Sequence, residues 1–429
     1  MTPARPARLV KLTQKDVAAA AARHEMLYAG RMGGARAVFA FSDLSGLDLS
    51  GRNLADADFT GAYLEEANFS GARLDSASFF GADLRRANLS STSLRRADMR
   101  GCCLRGANLI AADLYEADLR EGSIADKDKY GNLRVRQHTQ GGTPAELQTA
   151  LFASANLERA KMSGSMATQA DFTDAMMKGA RLIRANLRQA RLVGANLENA
   201  DMSGCNLTGA DLGGAVLVGT RMDLAVTDGA DLSRTLTEDS AGRAMHELPQ
   251  PIEEMLGLHA RWVETDGREG KPADLSGIDL RKLRSLAHRA LTALIAPGAV
   301  MYGINLEGAL LQGSNLQGAD LRSAKLAGTD LRGANLSGAK LNYADLRDAR
   351  IGPLLISDAR LLPARLDKIE ARYADFRGAD LRRAKLAGAD ISYANLSDCD
   401  LRDADLTNTD LTGTKLPLVF AERTAANGD

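Results

Sequence analysis

From Gly318 to Ala349 the chain places a leucine at every fifth position: Leu321, Leu326, Leu331, Leu336, Leu341 and Leu346. Two residues before each stands a small one: Ala319, Ala324, Thr329, Ala334, Ala339 or Ala344. A period of five fits neither the α-helix nor the flat strand. In an extended segment, residues two apart share a side. The small and large residues therefore point one way, and the Asp or Asn between them points the other. The next two residues, as in Ser337-Gly338, suit a turn. Each five is one short extended side followed by a corner. Repeated, it gives a coil lined by alternating small and large side chains, with successive coils stacked about 4.8 Å apart like parallel strands.

The pattern runs through most of the chain. Counting large residues in fives gives 17 positions from Leu44 to Ile124, 17 from Phe152 to Leu232 and 24 from Met301 to Leu416. Repetition on this scale decides the architecture before any local motif does. Composition agrees: 41 Gly, 4% aromatics and one Trp suit a thin Ala/Leu-lined body rather than a large globular interior. The motif A-[DN]-L-x-x, as in Ala319-Asp320-Leu321-Arg322-Ser323, resembles the pentapeptide-repeat family. That resemblance implies an all-β solenoid, a right-handed quadrilateral parallel β-helix with four repeats per coil. Residues 20 apart then stack.

The breaks in the pattern predict the domain plan. An N-terminal segment with a capping helix (1–41) precedes a first array (42–126), an inserted loop (127–149) and a second array (150–235). A linker with a second capping helix (236–272), an entry coil and short helix (273–298), a third array (299–416) and a tail (417–429) follow. Val17, Ala20, Ala21, His24, Leu27 and Tyr28 fall on one helical face, as do Ile252, Met255, Leu256, His259, Trp262 and Val263. Each helix leads into a similar stretch, Asp43-Leu44-Ser45-Gly46 or Asp274-Leu275-Ser276-Gly277. The chain reads as two units, each a helical plug on an open coil end followed by a β-helix. Leu283 to Gly298 reads as a short helix.

Stacking at 20 residues predicts the surface. In the third array the outward columns read Lys325, Asp345, Arg365, Lys385, Asp405 and Asp330, Arg350, Glu370, Asp390, Asp410. In the second they read Lys161, Arg181, Asp201, Arg221 and Asp171, Arg191, Asp211, Asp231. Opposite charges mostly alternate, so the surface neutralises itself. The first array is more acidic, with 14 Asp or Glu against 9 Lys or Arg over residues 42–126. One of its columns reads Asp58, Ser78, Asp98, Asp118; another, Asn68, Asn88, Asn108, is an amide ladder. Glu65-Glu66 lie one coil from Arg85-Arg86.

Catalytic and cofactor signatures are lacking. The five histidines (24, 138, 246, 259, 288) have no metal-type spacing, and no phosphate-binding, nucleophile-elbow or dinucleotide motif occurs. The calcium-like stretch Asp126 to Asn132 has Tyr130 where an oxygen ligand belongs. Cys102, Cys205 and Cys399 replace the small residue and read as buried thiols of a reducing cytoplasm. A net charge of −1 supplies no general attraction to nucleic acid, and no apolar run is long enough to span a bilayer.

The expected function is therefore a non-enzymatic interaction or scaffold protein, cytoplasmic and without cofactor, presenting rigid faces and loops to a protein partner. The alternative comes from the family. Some of its members resemble duplex DNA in shape and charge and bind type II topoisomerases, a role the more acidic first array would carry here. Binding residues gather on loops held by a rigid scaffold. The loop at 127–149 therefore supplies the candidate partner-binding residues Tyr130, Arg134 and Arg136, since exposed Tyr and Arg are favoured anchor types.

Overall fold

The hydrogen bonds around Leu331 show what the five-residue period builds. Its amide donates to the Arg350 carbonyl at 2.7 Å, and the Asp330 amide donates to the Ala309 carbonyl at 3.0 Å. Each short side is thus bridged to a parallel side one coil before and one after. Ala334 N–H closes the corner onto the Leu331 carbonyl at 3.0 Å, and Gly333 inside that turn has φ of +66°. The same pattern recurs through both units. In the computed structural model the described residues are 10–122, 125–127, 133–135, 144–239, 241–357 and 360–417. They form two compact units, Met1–Asp239 and Ser240–Asp429.

In the first unit, parallel bridges run from Val38↔Asp58 to Val216↔Leu236. The large residues are sealed in the lining: Leu54, Phe59, Leu64 and Phe69 are all at 0% exposure. Stacking is visible in the rings, with Phe59 and Phe79 parallel at 4.8 Å and Phe39 against Phe59 at 5.1 Å. The outward Asp and Asn have a local task as well. Asp58 Oδ1 accepts from Thr60 N–H at 3.0 Å and Asn88 Oδ1 from Ser90 N–H at 3.2 Å. These side chains brace the backbone entering each corner, which explains the Asp/Asn preference there.

Strand β1 (Val10–Lys11) and helix α1 (Gln14–Tyr28) precede the coils. Thr13 and Asp16 form a capping box at the start of α1. β1 pairs in parallel with β2 (Ser42–Asp43) on the first coil. α1 buries Val17, Ala21 and His24, whereas Leu27 and Tyr28, expected on the same face, are 46% and 43% exposed.

Strands β3 (Ala125–Lys127) and β4 (Leu133–Val135) pair antiparallel within the insertion. The ladder then resumes earlier than expected. Glu146 bridges Cys103, and Ala145 and Leu147 are fully buried in the lining. Ala145-Glu146-Leu147 is itself a small–polar–large triplet, so residues 145–149 belong to the coil and not to the loop.

In the second unit, helix α2 (Ile252–Glu264) buries Leu256 and His259 ahead of the coils. Residues 283–298 are not a helix. After a single 3₁₀ turn at Arg281–Leu283 they form coil sides, with bridges Ser285↔Asn305, Ala290↔Leu310 and Ile295↔Asn315. Leu286 and Leu291 fill the lining at 1% exposure, and Leu294 and Ala296 simply exchange the usual small and large places.

The third array holds a second correction. Strands β5 (Leu354–Ser357) and β6 (Arg360–Leu362) form an antiparallel hairpin extruded from a corner. The ladder therefore pairs Asn335 with Arg365, and Leu336 N–H donates to the Arg365 carbonyl at 2.7 Å. Leu336 stacks towards Leu366, not towards Ile356. Beyond residue 350 the columns shift by one hairpin: Lys325, Asp345, Asp375, Asn395, Lys415 and Asp330, Arg350, Asp380, Asp400. The columns expected in the first and second arrays stand as read, including Asp58 to Asp118, Asn68 to Asn108 and Lys161 to Arg221.

Candidate interaction surface

The outward charges pair at two ranges. Across coils, Arg86 reaches Glu65 at 2.7 Å and Glu66 at 3.0 Å, and Lys178 reaches Glu198 at 3.0 Å. Other pairs lie within one repeat. Arg100 forks onto Asp98 through Nε (2.8 Å) and a terminal nitrogen (2.7 Å), and Arg120 does the same to Asp118. Asp320–Arg322, Asp330–Arg332, Asp380–Arg382 and Asp400–Arg402 repeat the device in the second unit. Hydrogen bonds from Arg382 hold the Asp380 carboxyl below its ordinary value. The pairing neutralises the acidic column of the first array at its Asp98 and Asp118 members.

Two open clefts lie on this surface. One, of 550 Å³, is lined by Arg96, Asp98, Arg100, Glu116, Asp118, Arg159 and Lys161. The other, of 440 Å³, lies between the β5–β6 hairpin (Pro353, Leu361) and the charges Arg332, Asp380, Arg382, Arg383, Arg402 and Asp403. Neither is lined by a histidine, cysteine or serine. No cluster of potential metal ligands occurs among the described residues. No helix among them is long and apolar enough to cross a membrane.

Of the three candidate anchors, Arg134 stands in β4 opposite Asp126 of β3. Tyr130 and Arg136 lie outside the described residues, as does most of the calcium-like stretch.

The apolar surface that sequence reasoning missed is the β5–β6 hairpin. Leu354 and Leu362 form one pair of its ladder and lie over the corner at Gly333, where an added Cβ would come within 2.8 Å of Leu354. Leu355, Ile356 and Leu361 are exposed to 62%, 52% and 42%. The sequence held one signal. In the five-residue frame Leu354 occupies the place that usually holds a small residue.

Comparison with known proteins follows this geometry. The sequence model described as pentapeptide repeats matches residues 42–121, 145–235, 298–351 and 364–416, and breaks at both hairpins. No curated protein matches the chain. Among solved structures, HetL of the cyanobacterium Nostoc sp. is a pentapeptide repeat protein involved in heterocyst differentiation regulation. It is 22% identical, over 94% of this chain and 97% of that one, with a TM-score of 0.18. The pentapeptide repeat protein Rfr23 of the cyanobacterium Cyanothece is 26% identical over 33% of this chain and 91% of its own, with a TM-score of 0.24. QnrB1, a plasmid-mediated fluoroquinolone resistance protein, is 15% identical over 59% and 92%, with a TM-score of 0.17.

Proposed function

Because the chain belongs to the pentapeptide-repeat family, we propose that it acts by binding, as a non-enzymatic scaffold whose solenoid presents inserted hairpins to a protein partner. The observation carrying this reading is the β5–β6 hairpin. It leaves the lining intact yet sets Leu355, Ile356 and Leu361 in solvent, on a body where many of the outward charges are paired. Apolar side chains on a rigid projection are the kind of feature that marks a contact site. The first-unit insertion, whose strands β3 and β4 pair antiparallel, is the second candidate, with Tyr130, Arg134 and Arg136 as the proposed anchors. Four free cysteines, three of them buried, fit a cytoplasmic setting.

Charge mimicry of duplex DNA through the first array draws less support. A mimic needs a run of unpaired carboxylates, and Asp98 and Asp118 each carry their own arginine.

The test removes each projection without touching the coil. Exchanging Pro353–Pro363 for one glycine joins Gly352 to Ala364 through a regular corner. Exchanging Lys127–Pro144 for a Gly-Ser linker, which leaves Ala145-Glu146-Leu147 and its corner in place, does the same in the first unit. Loss of a defined partner in an affinity capture by one deletion, with unchanged circular dichroism, is the expected outcome. An identical partner set for wild type and both deletions refutes the hairpin reading.

A further inference from the structure

The start of each unit contains a buried histidine that the proposed binding role does not use. His24 of α1 is at 0% exposure, and so is His259 of α2. Their surroundings repeat. His24 Nδ1 accepts the Ala37 N–H at 3.0 Å, and His259 Nδ1 accepts the Ala273 N–H at 3.1 Å. Ala37 and Ala273 each open the first coil of their unit, two residues before the first large lining residue, Phe39 or Leu275.

A nitrogen that accepts from an N–H must keep its lone pair, so both imidazoles are neutral and carry their proton on Nε2. In His24 that proton is donated to the Ala55 carbonyl at 2.8 Å. The Nε2 of His259 is buried without a hydrogen-bonded partner, beside the carbonyls of Leu291 and Thr292. A second proton would have to enter at Nδ1, directly facing a backbone N–H. Two donors would then oppose each other in a buried site, and the bond from helix to coil would become a repulsion.

The rest of the α1 attachment shows what that bond helps to hold. Strand β1 pairs with Ser42–Asp43, Gln14 exchanges two side-chain hydrogen bonds with the Asp48 backbone (2.7 and 2.9 Å), and Glu25 accepts from Asn53 N–H at 3.3 Å. Tyr28 donates to the Ala55 carbonyl at 2.9 Å. The N-terminal segment thus occupies backbone groups that the first coil would otherwise turn to water.

We propose that α1 and α2 are proton-released closures: imidazole protonation in mildly acidic conditions undocks each helix and uncovers the first coil edge of its unit. The charged groups acting on His24 are Glu25 on its own helix, and Arg36 and Asp56 from the segments packed against it. Tyr28 also abuts it, with ring centroids 4.9 Å apart. Around His259 lie the Trp262 ring at 5.8 Å and the two carbonyls. The Arg289–Glu253 pair, at 2.8 Å, ties the first turn of α2 to the coils. Burial pulls both imidazoles below their ordinary 6.5, against the carbonyls and, for His24, against Asp56 and Glu25. A histidine depressed in the folded state contributes its full stability above its unfolded value and loses it as the pH falls below that value.

Amide hydrogen exchange on the full chain at about pH 7.5 and pH 5, corrected for intrinsic rates, tests the device. In the wild type, protection of residues 14–28 and 252–264 is expected to fall about tenfold or more at the lower pH, while amides such as Leu64 and Leu321 keep theirs. Glutamine can accept and donate at similar positions without titrating. The double variant His24→Gln, His259→Gln is therefore expected to hold both helices at pH 5. Unchanged wild-type protection at pH 5, or equal loss in the glutamine variant, overturns the proposal. Should that variant not fold, the imidazole resonances of the wild type decide. Titration coinciding with helix release supports the closure; titration near 6.5 with both helices still protected overturns it.

Discussion

The stacking partner of Leu336 distinguishes the observed coil from the one the uninterrupted period implies. Leu336 and Leu366 are both at 0% exposure and lie in successive coils, whereas Ile356 is 52% exposed on the hairpin. Truncating a fully buried leucine removes its transfer free energy and leaves a cavity that the four-sided coil cannot collapse. Leu336→Ala and Leu366→Ala are each expected to cost about 2–5 kcal/mol. Ile356→Ala is expected to change stability by less than about 0.5 kcal/mol. The double variants sharpen the contrast. Leu336 with Leu366 shares one cavity and should couple by about 0.5–3 kcal/mol, while Leu336 with Ile356 should add within about 0.5 kcal/mol. The chain's single tryptophan, Trp262, sits in α2, so its fluorescence during urea unfolding reports on the second unit. A large cost at Ile356, or coupling between Leu336 and Ile356, would restore the uninterrupted coil and refute the extruded hairpin.

Two further outcomes are expected. Gly333→Ala should cost about 1–3 kcal/mol more than Gly338→Ala in the same unfolding assay. Both glycines have positive φ, but an added Cβ meets Leu354 at 2.8 Å only at Gly333; equal costs would mean that the hairpin is not seated on that corner. Buried hydroxyls at the small position should divide by partner. Thr329 donates to the Leu306 carbonyl at 2.9 Å, so Thr329→Val should lose about 0.5–1.5 kcal/mol, whereas Ser165 and Ser314 have no partner and their alanine variants should be as stable as wild type or more so. A loss at Ser314→Ala matching that at Thr329→Val would contradict this division.

Much of the coil was legible because its period is a geometric statement. Leu44, Phe59, Leu157 and Leu321 face inward for the same reason, and counting by 20 gave the columns wherever the chain was uninterrupted. The third array was misread past residue 350 because Ile356 and Leu361 keep the five-residue beat while leaving the lining. Only Leu354, a large residue where the repeat usually has a small one, marks the change. Residues 283–298 were misread because Leu294 and Ala296 trade sizes, which blurs the pattern without altering the backbone. The charge pairing was half legible. A period tells which residues share a face, but not that an arginine two positions after an aspartate folds back around the corner to grip it, as Arg100 does to Asp98. Of the three candidate residues, only Arg134 falls among the described residues, in β4, while the apolar hairpin in the second unit carried no motif.

The two insertions share a physical basis. Ladder partners are normally 20 residues apart, as in Asn68 and Asn88. Across the first insertion the interval is 43, as in Asp113 and Asn156, and across the hairpin it is 30, as in Ser337 and Asp367. In each case the chain leaves at one corner and returns to the same corner, so the stack above and below is undisturbed. Inside both insertions the strands pair with each other, so the extra backbone satisfies part of its own hydrogen bonding. The entropic cost of closing such loops rises only slowly with length. A coil of this kind therefore tolerates insertion at corners far better than substitution in its lining, where even Ala334→Leu would overpack. The coil supplies rigidity and position, and the corners are where distinct chemistry can be added. The search for a partner site on this protein accordingly belongs at the two inserted hairpins before the charge-paired faces.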